Sequence, residues 1–150
     1  VTMVDAVEER LQYARDHFDV DGTVNVSQEK LEDVAHKHSF DAVMDLVGST
    51  KILLEGTQYL KQGGVLCGMG VLRKDDALLD ATRLQNNTSL HMLNFPYQRL
   101  FYMDELTALI QQGKLVPRHF YSHVLPAEEI DECIRLIKTK EALKVVLRFN

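Results

Sequence analysis

The chain is short of most of the signatures that announce a function. Its 150 residues include only two cysteines, Cys67 and Cys133. Both sit among apolar neighbours, so they read as buried, reduced thiols rather than a disulfide or a metal pair. Positive charge is not in surplus: 17 Lys and Arg face 22 Asp and Glu, a net charge of −5. Nucleic acids and anionic membranes recruit clustered Lys and Arg, so neither is an expected partner. No apolar run approaches the roughly 20 residues of a membrane span, and no secretory signal opens the chain. The two reduced thiols suit a cytoplasmic protein, and that location is expected. The histidines do not build a metal site. His36 and His38 stand two apart in a helical pattern and face different directions, while His119 and His123 share a strand face without a third ligand at metal-site spacing. Gly48-Ser49-Thr50 lacks the glycine of a nucleophile elbow, and no Ser-His-Asp order appears. Internal repeats and low-complexity segments are also missing.

What the chain does have is regular alternation of helix and strand patterns. With 45% apolar residues, one domain of this length can bury a core. Val1–Val4 is strand-like, and Ala6–His17 places Val7, Leu11, Ala14 and Phe18 on one helical stripe. Thr23–Val26 reads as a short strand, and Ser27 with Lys30–Glu32 opens a second helix. Phe40–Val47 is a mostly apolar strand ending at Gly48-Ser49. Thr50–Leu60 is a helix that Gln62-Gly63-Gly64 stops, since glycine accepts the left-handed conformation at a helix end. Val65–Val71 suits a parallel strand buried on both faces. Leu78–Leu84 reads as a short helix, Thr88–Asn94 as a strand, and Tyr97–Gln111 as an amphipathic helix closed by Gly113. After a turn at Pro117, the strands His119–Leu125 and Lys144–Phe149 flank a helix over Pro126–Thr139. This alternation predicts an α/β fold with parallel strands.

The opening residues add chemistry to that pattern. Val1–Val4 closes on a carboxylate, Asp5, and a helix follows at once. In a dinucleotide-binding βαβ fold, an acid at the tip of the second strand accepts hydrogen bonds from the adenosine ribose hydroxyls. The glycine-rich turn belongs about 20 residues earlier, and Asp5 is only the fifth residue. The chain is thus expected to open inside a fold and to carry half of a cofactor site. Farther on, Asp41 and Asp45 share one face of a strand. Asp41 is most simply a strand-edge turn residue. Asp45, an acid within an apolar strand, should find a partner, which gives it a structural or site-edge role.

Five segments, in order, resemble the C-terminal half of the zinc-type medium-chain dehydrogenases/reductases, the alcohol, polyol and threonine dehydrogenase family. They are VTMVDAVEERLQYA, FDAVMDLVGS, LKQGGVLCGMGV, LIQQGKLVPRHFYSHVLPAEEIDECIRLI and ALKVVLRF. The resemblance implies a Rossmann-like, doubly wound parallel sheet of order 3-2-1-4-5-6, here lacking its first, central strand. Two inner strand edges would then be unpaired. Residues 1–116 would be a partial dinucleotide-binding domain, and 117–150 a segment returning to an absent catalytic domain. The implied parent is an NAD-dependent oxidoreductase moving a hydride between an alcohol or polyol and nicotinamide. Zinc is expected only in the absent N-terminal half, where the family holds it. No catalytic residue is assigned to this chain, and the chain alone is expected to be inactive.

The same resemblance assigns cofactor contacts. Asp5 would bind both ribose hydroxyls and repel the 2′-phosphate of NADP, making NAD the expected cofactor; without the resemblance it is equally a solvated loop acid. Arg10 falls near the adenosine in related polyol dehydrogenases, or else lies on the polar face of the first helix. Leu46, Val47, Gly48 and Ser49 end one strand, where open α/β sheets bind ligands; the apolar side chains would cover an adenine face. Met69, Gly70 and Val71 end the next and would line the nicotinamide side. Leu93 and Asn94 would offer backbone groups to the carboxamide. Lys144 matches a basic position near the pyrophosphate, or is a surface lysine at a strand start. Two departures stand out. Phe18-Asp19-Val20-Asp21 replaces a leucine-glycine-alanine-aspartate turn, and His91 replaces a common glycine on the strand expected to pair across a twofold axis, residues 88–93.

Three rivals remain. A zinc-free, NADPH-dependent quinone-reductase-type enzyme is opposed by Asp5. A methyl-transfer domain also holds a ribose with an acid, but closes its sheet with an antiparallel hairpin. A non-catalytic nucleotide-binding or assembly module would dimerise through residues 88–93 without turnover.

Overall fold

The computed structural model describes residues 1–76, 78–93 and 102–149. In chain order the elements are β1 (Thr2–Asp5), α1 (Glu8–His17), β2 (Gly22–Asn25), α2 (Leu31–Val34), β3 (Phe40–Asp45) and α3 (Thr50–Gly56). They continue with β4 (Leu60–Gly68), β5 (Ser89–Met92), α4 (Met103–Gln111), β6 (His123–Pro126), α5 (Ile130–Lys138) and β7 (Val145–Arg148). The chain divides into two compact units, Val24–Gln98 and Val1–Thr23 with Arg99–Asn150.

In the first of these, β3 runs parallel to β4 and β4 parallel to β5. The register pairs Val43 with Leu66, Asp45 with Gly68, and Leu66 with Leu90. Parallel strands need a crossover, and α3 supplies it between β3 and β4. Leu53 from α3 joins Leu60 and Leu66 from β4 in a core that Val43, Leu72, Leu79 and Leu84 also pack against. Those three buried leucines explain where the elements end. Leu60 is fully buried and already pairs with Phe40 as a strand residue, so α3 stops at Gly56 and a 3-10 turn, Thr57–Tyr59, leads into β4. The helix expected to reach Leu60 is therefore shorter. Gly63 does adopt a positive φ of 79°, but it does so within the irregular start of β4, between the Phe40 and Ala42 pairings, not at a helix end. The helix expected over 78–84 is reduced to a 3-10 turn, Ala81–Arg83, where the Asp80 carboxylate accepts from the N–H and hydroxyl of Thr82.

In the second unit, β6 and β7 pair in parallel, His123 with Val145 through Pro126 with Arg148, around the crossover helix α5. This parallel closure is opposite to the antiparallel hairpin of a methyl-transfer domain. The helix buries Cys133 and Leu136. Arg135 clasps both Glu132 and Glu141, which holds each of those carboxyls below its ordinary range. His119 does not begin a strand, because Pro117 opens a 3-10 turn through Phe120. In that turn His119 and Phe120 meet His17 and Phe18 from the end of α1.

β1 pairs with β2 in a two-stranded sheet of its own, separate from β3-β4-β5. Among the described residues, β1 and β3 therefore each have a strand neighbour on one side only. Both cysteines are buried and free. The architecture is α/β with parallel sheets, as the alternation predicts.

Candidate functional site

Two groups of candidate residues stand out, and each is described within its own unit. In Val24–Gln98 the group is built at the carboxyl ends of β3 and β4. The carboxylate of Asp45, the last residue of β3, is almost completely buried at 3% exposure. Its Oδ1 accepts from the N–H of Val47 at 2.8 Å and of Gly48 at 3.2 Å. Its Oδ2 accepts from Gly48 at 3.1 Å and from Ser49 at 3.3 Å. The carbonyl of the same residue accepts from the N–H groups of Met69 at 2.8 Å and Gly70 at 3.1 Å. Asp45 thus has the partners that an acid in an apolar strand requires.

The two turns then meet backbone to backbone. Gly48 adopts a φ of 84°, and a methyl group there would run into the main chain of Val71. A methyl on Gly70 would strike the nitrogen and Cα of Gly48. Glycine is required at both positions, one for its positive φ and both for close approach. The surrounding side chains point the other way in accessibility: Leu46 is 66% and Val47 71% exposed, with Met69 and Val71 also exposed. Ser49 is half-buried and leads into α3. Beyond it, Asp76 accepts from the N–H and hydroxyl of Thr50, and the Thr50 hydroxyl holds its carboxyl below the usual carboxylate range. Leu93 is exposed, and its N–H donates to the Gly68 carbonyl at 2.9 Å. Asn94 lies outside the described residues. All four side chains of β5 are exposed, including His91.

In the other unit, Asp5 ends β1 and is half-buried. Its Oδ1 accepts from the N–H of Val7 at 2.9 Å, which fixes the carboxylate at the start of α1. Its Oδ2 lies 3.7 Å from Nη1 of Arg10. Asp5 and Arg10, both expected near the adenosine, therefore stand together. Lys144 is exposed, and its carbonyl takes the N–H of Ser122 just before β6.

A cleft of about 530 Å³ elsewhere in Val24–Gln98 is lined by Glu29, Lys30, Glu32, Lys51 and Arg83, among others. It includes none of the strand-end residues. Its charges are mixed in sign, and burial, with help from Glu55 and Glu32, pushes the Tyr59 phenol at its wall up. Among the described residues no three His, Cys, Asp or Glu side chains gather where a metal could be held. No described helix is long and apolar enough to cross a membrane.

A family model described as zinc-binding dehydrogenase matches residues 1–112. No curated protein matches the chain in sequence. Among solved structures, the alcohol dehydrogenase TADH from Thermus sp. ATN1 is similar at 26% identity and a TM-score of 0.80, covering 98% of this chain and 44% of its own. An alcohol dehydrogenase from Thermotoga maritima gives 22% identity and 0.80 over the whole of this chain and 43% of its own. An alcohol dehydrogenase from E. coli CFT073, solved with the cofactor NADH, shares the fold at 16% identity and 0.77, covering 99% and 44%. The chain thus spans less than half the length of these structures.

Proposed function

The chain belongs to the zinc-binding dehydrogenase family, and we propose that it is the dinucleotide-binding part of an NAD-dependent oxidoreductase acting on an alcohol or polyol. The observation that carries this reading is the Asp5 carboxylate at the exit of β1, one oxygen on the Val7 N–H and the other 3.7 Å from Arg10. An ionised carboxylate offers about four acceptor sites. It has room for both ribose hydroxyls of NAD and repels the additional phosphate of NADP.

In this reading Asp5 and Arg10 bind the adenosine ribose end. Leu46, Val47, Gly48 and Ser49 cover an adenine face, and Met69, Gly70 and Val71 flank the nicotinamide. Leu93 and Asn94 meet the carboxamide through their backbone, and Lys144 approaches the pyrophosphate. Exposed apolar side chains at the carboxyl ends of parallel strands support these assignments, because that is where such sheets bind ligands. Residues 1–116 form the cofactor-binding region and 117–150 return to a catalytic domain. Hydride transfer belongs to the bound nicotinamide; this chain's residues bind it, orient it and exclude water. Among the described residues no cluster of His, Cys, Asp or Glu could hold a zinc ion; zinc would be held by the N-terminal half of the parent protein. The exposed strand β5 pairs two copies, and the two unpaired thiols suit a reducing cytoplasm.

The test is an assay of purified protein carrying this chain with NAD and a panel of secondary alcohols and polyols, with metal content measured in parallel. NAD-dependent oxidation by a zinc-containing protein is expected, and no turnover by residues 1–150 alone. Turnover with NADPH and a quinone in a zinc-free protein would move it to the quinone-reductase type. Dimerisation with no dinucleotide binding would leave an assembly module.

A further inference from the structure

We propose that Asp45 is the positioning residue of the strand-end crevice, setting both of its turns through their main chain without touching the cofactor. This rests on the reading of residues 46–49 and 69–71 as dinucleotide contacts. The side chains that would meet the ligand, Leu46, Val47, Met69 and Val71, are exposed, so little besides their own main chain holds them in place. That main chain converges on one residue. The Asp45 carboxylate takes the N–H groups of Val47, Gly48 and Ser49, while its carbonyl takes those of Met69 and Gly70. Gly48 and Gly70 then pack so tightly that neither turn can shift without the other.

The chemistry requires a carboxylate. Three converging N–H donors supply the charge-assisted hydrogen bonds that make a buried anion tolerable. An asparagine presents one oxygen and one NH₂ group. Whichever way it turns, its NH₂ faces the Gly48 N–H, because that donor lies close to both carboxylate oxygens. Asp45→Asn therefore keeps the size of the side chain and removes half of the anchor. Asp45→Glu keeps the charge but displaces it by one methylene.

The experiment uses the protein that carries this chain and reads two quantities. Hydrogen–deuterium exchange by mass spectrometry follows residues 47–49, residues 69–70 and, as an internal reference, residues 1–17. Titration gives the Kd for NADH and for NADPH. In Asp45→Asn, exchange at both turns rises together by about tenfold while the reference is unchanged, as expected for a local opening. The Kd for NADH rises about tenfold, the loss of roughly one hydrogen bond to a charged group. The NADH to NADPH preference, which Asp5 sets, stays within about twofold, the margin of an unperturbed contact. Asp45→Glu shows the same pattern with smaller changes, and it carries the test if the asparagine variant does not fold. Faster exchange at 47–49 alone overturns the shared anchor. Faster exchange everywhere overturns a local role, and unchanged NADH affinity with both turns loosened overturns the positioning role. If the unmodified protein binds no NADH, the cofactor reading fails, and paired exchange at the two turns still decides whether Asp45 anchors both.

Discussion

The two groups of residues assigned to the cofactor are built in opposite ways. At the ends of β3 and β4 the geometry is made of main chain: glycine against glycine, and backbone N–H groups on one buried carboxylate. At the end of β1 it is made of side chains, Asp5 on the Val7 N–H and Arg10 3.7 Å away, both partly exposed. A main-chain site is stiff and tolerates little substitution, whereas a side-chain site can be altered without disturbing the fold. In the proposed reading the first sets shape and the second sets discrimination.

This contrast can be broken or sharpened by substitution. The largest effect is expected at the floor of the main-chain site. Leu66 is fully buried in the core beneath it, and Leu66→Ala should cost about 3 kcal/mol, read from the urea midpoint. Gly70→Ala comes next, at about 2 kcal/mol, since a methyl there meets the Gly48 backbone and overpacking forces a shift. It should weaken NADH binding and stability together. Asp5→Asn should separate the two: an asparagine oxygen can still accept from the Val7 N–H, so stability changes by about 0.5 kcal/mol or less. NADH affinity should fall about tenfold as the charge leaves the ribose contact. If Asp5→Asn unfolded the protein as readily as Gly70→Ala, the distinction between the two sites would fail.

The smallest effect concerns acid. The Asp76 carboxyl is held below its ordinary value, first by the Thr50 hydroxyl. A depressed folded-state pKa gives stability that is present above about pH 4, the unfolded value, and is lost as pH falls through the lower folded value. Acid titration monitored by circular dichroism should therefore show an acid limb that is shallower in Asp76→Asn than in the unmodified protein.

Much of the fold was legible because periodicity reports burial. The apolar runs over Phe40–Val47 and Val65–Val71 belong to strands that are indeed parallel, and so do the strands around α5. Element ends were less legible, because tertiary packing set them. Leu60 looks helical in sequence but is buried as a strand residue, and Leu79 and Leu84 pack on the core without forming a helix. Part of the candidate strand-end arrangement could be read as well. Gly48, Gly70 and Val71 stand out as strand-end residues, and the structure brings them into contact. The part that escaped was the anchor. Asp45 could be recognised as an acid in need of a partner, but its partners are backbone N–H groups, which leave no side-chain signal at any spacing.

In the proposed reading the Asp5 carboxylate recognises a ribose with free hydroxyls. Direct titration of the unmodified protein with NADH and with NADPH tests it. NADH should bind at least about tenfold more tightly, the discrimination of one charged contact. Binding of NADPH with equal or greater affinity while Asp5 is intact would contradict it.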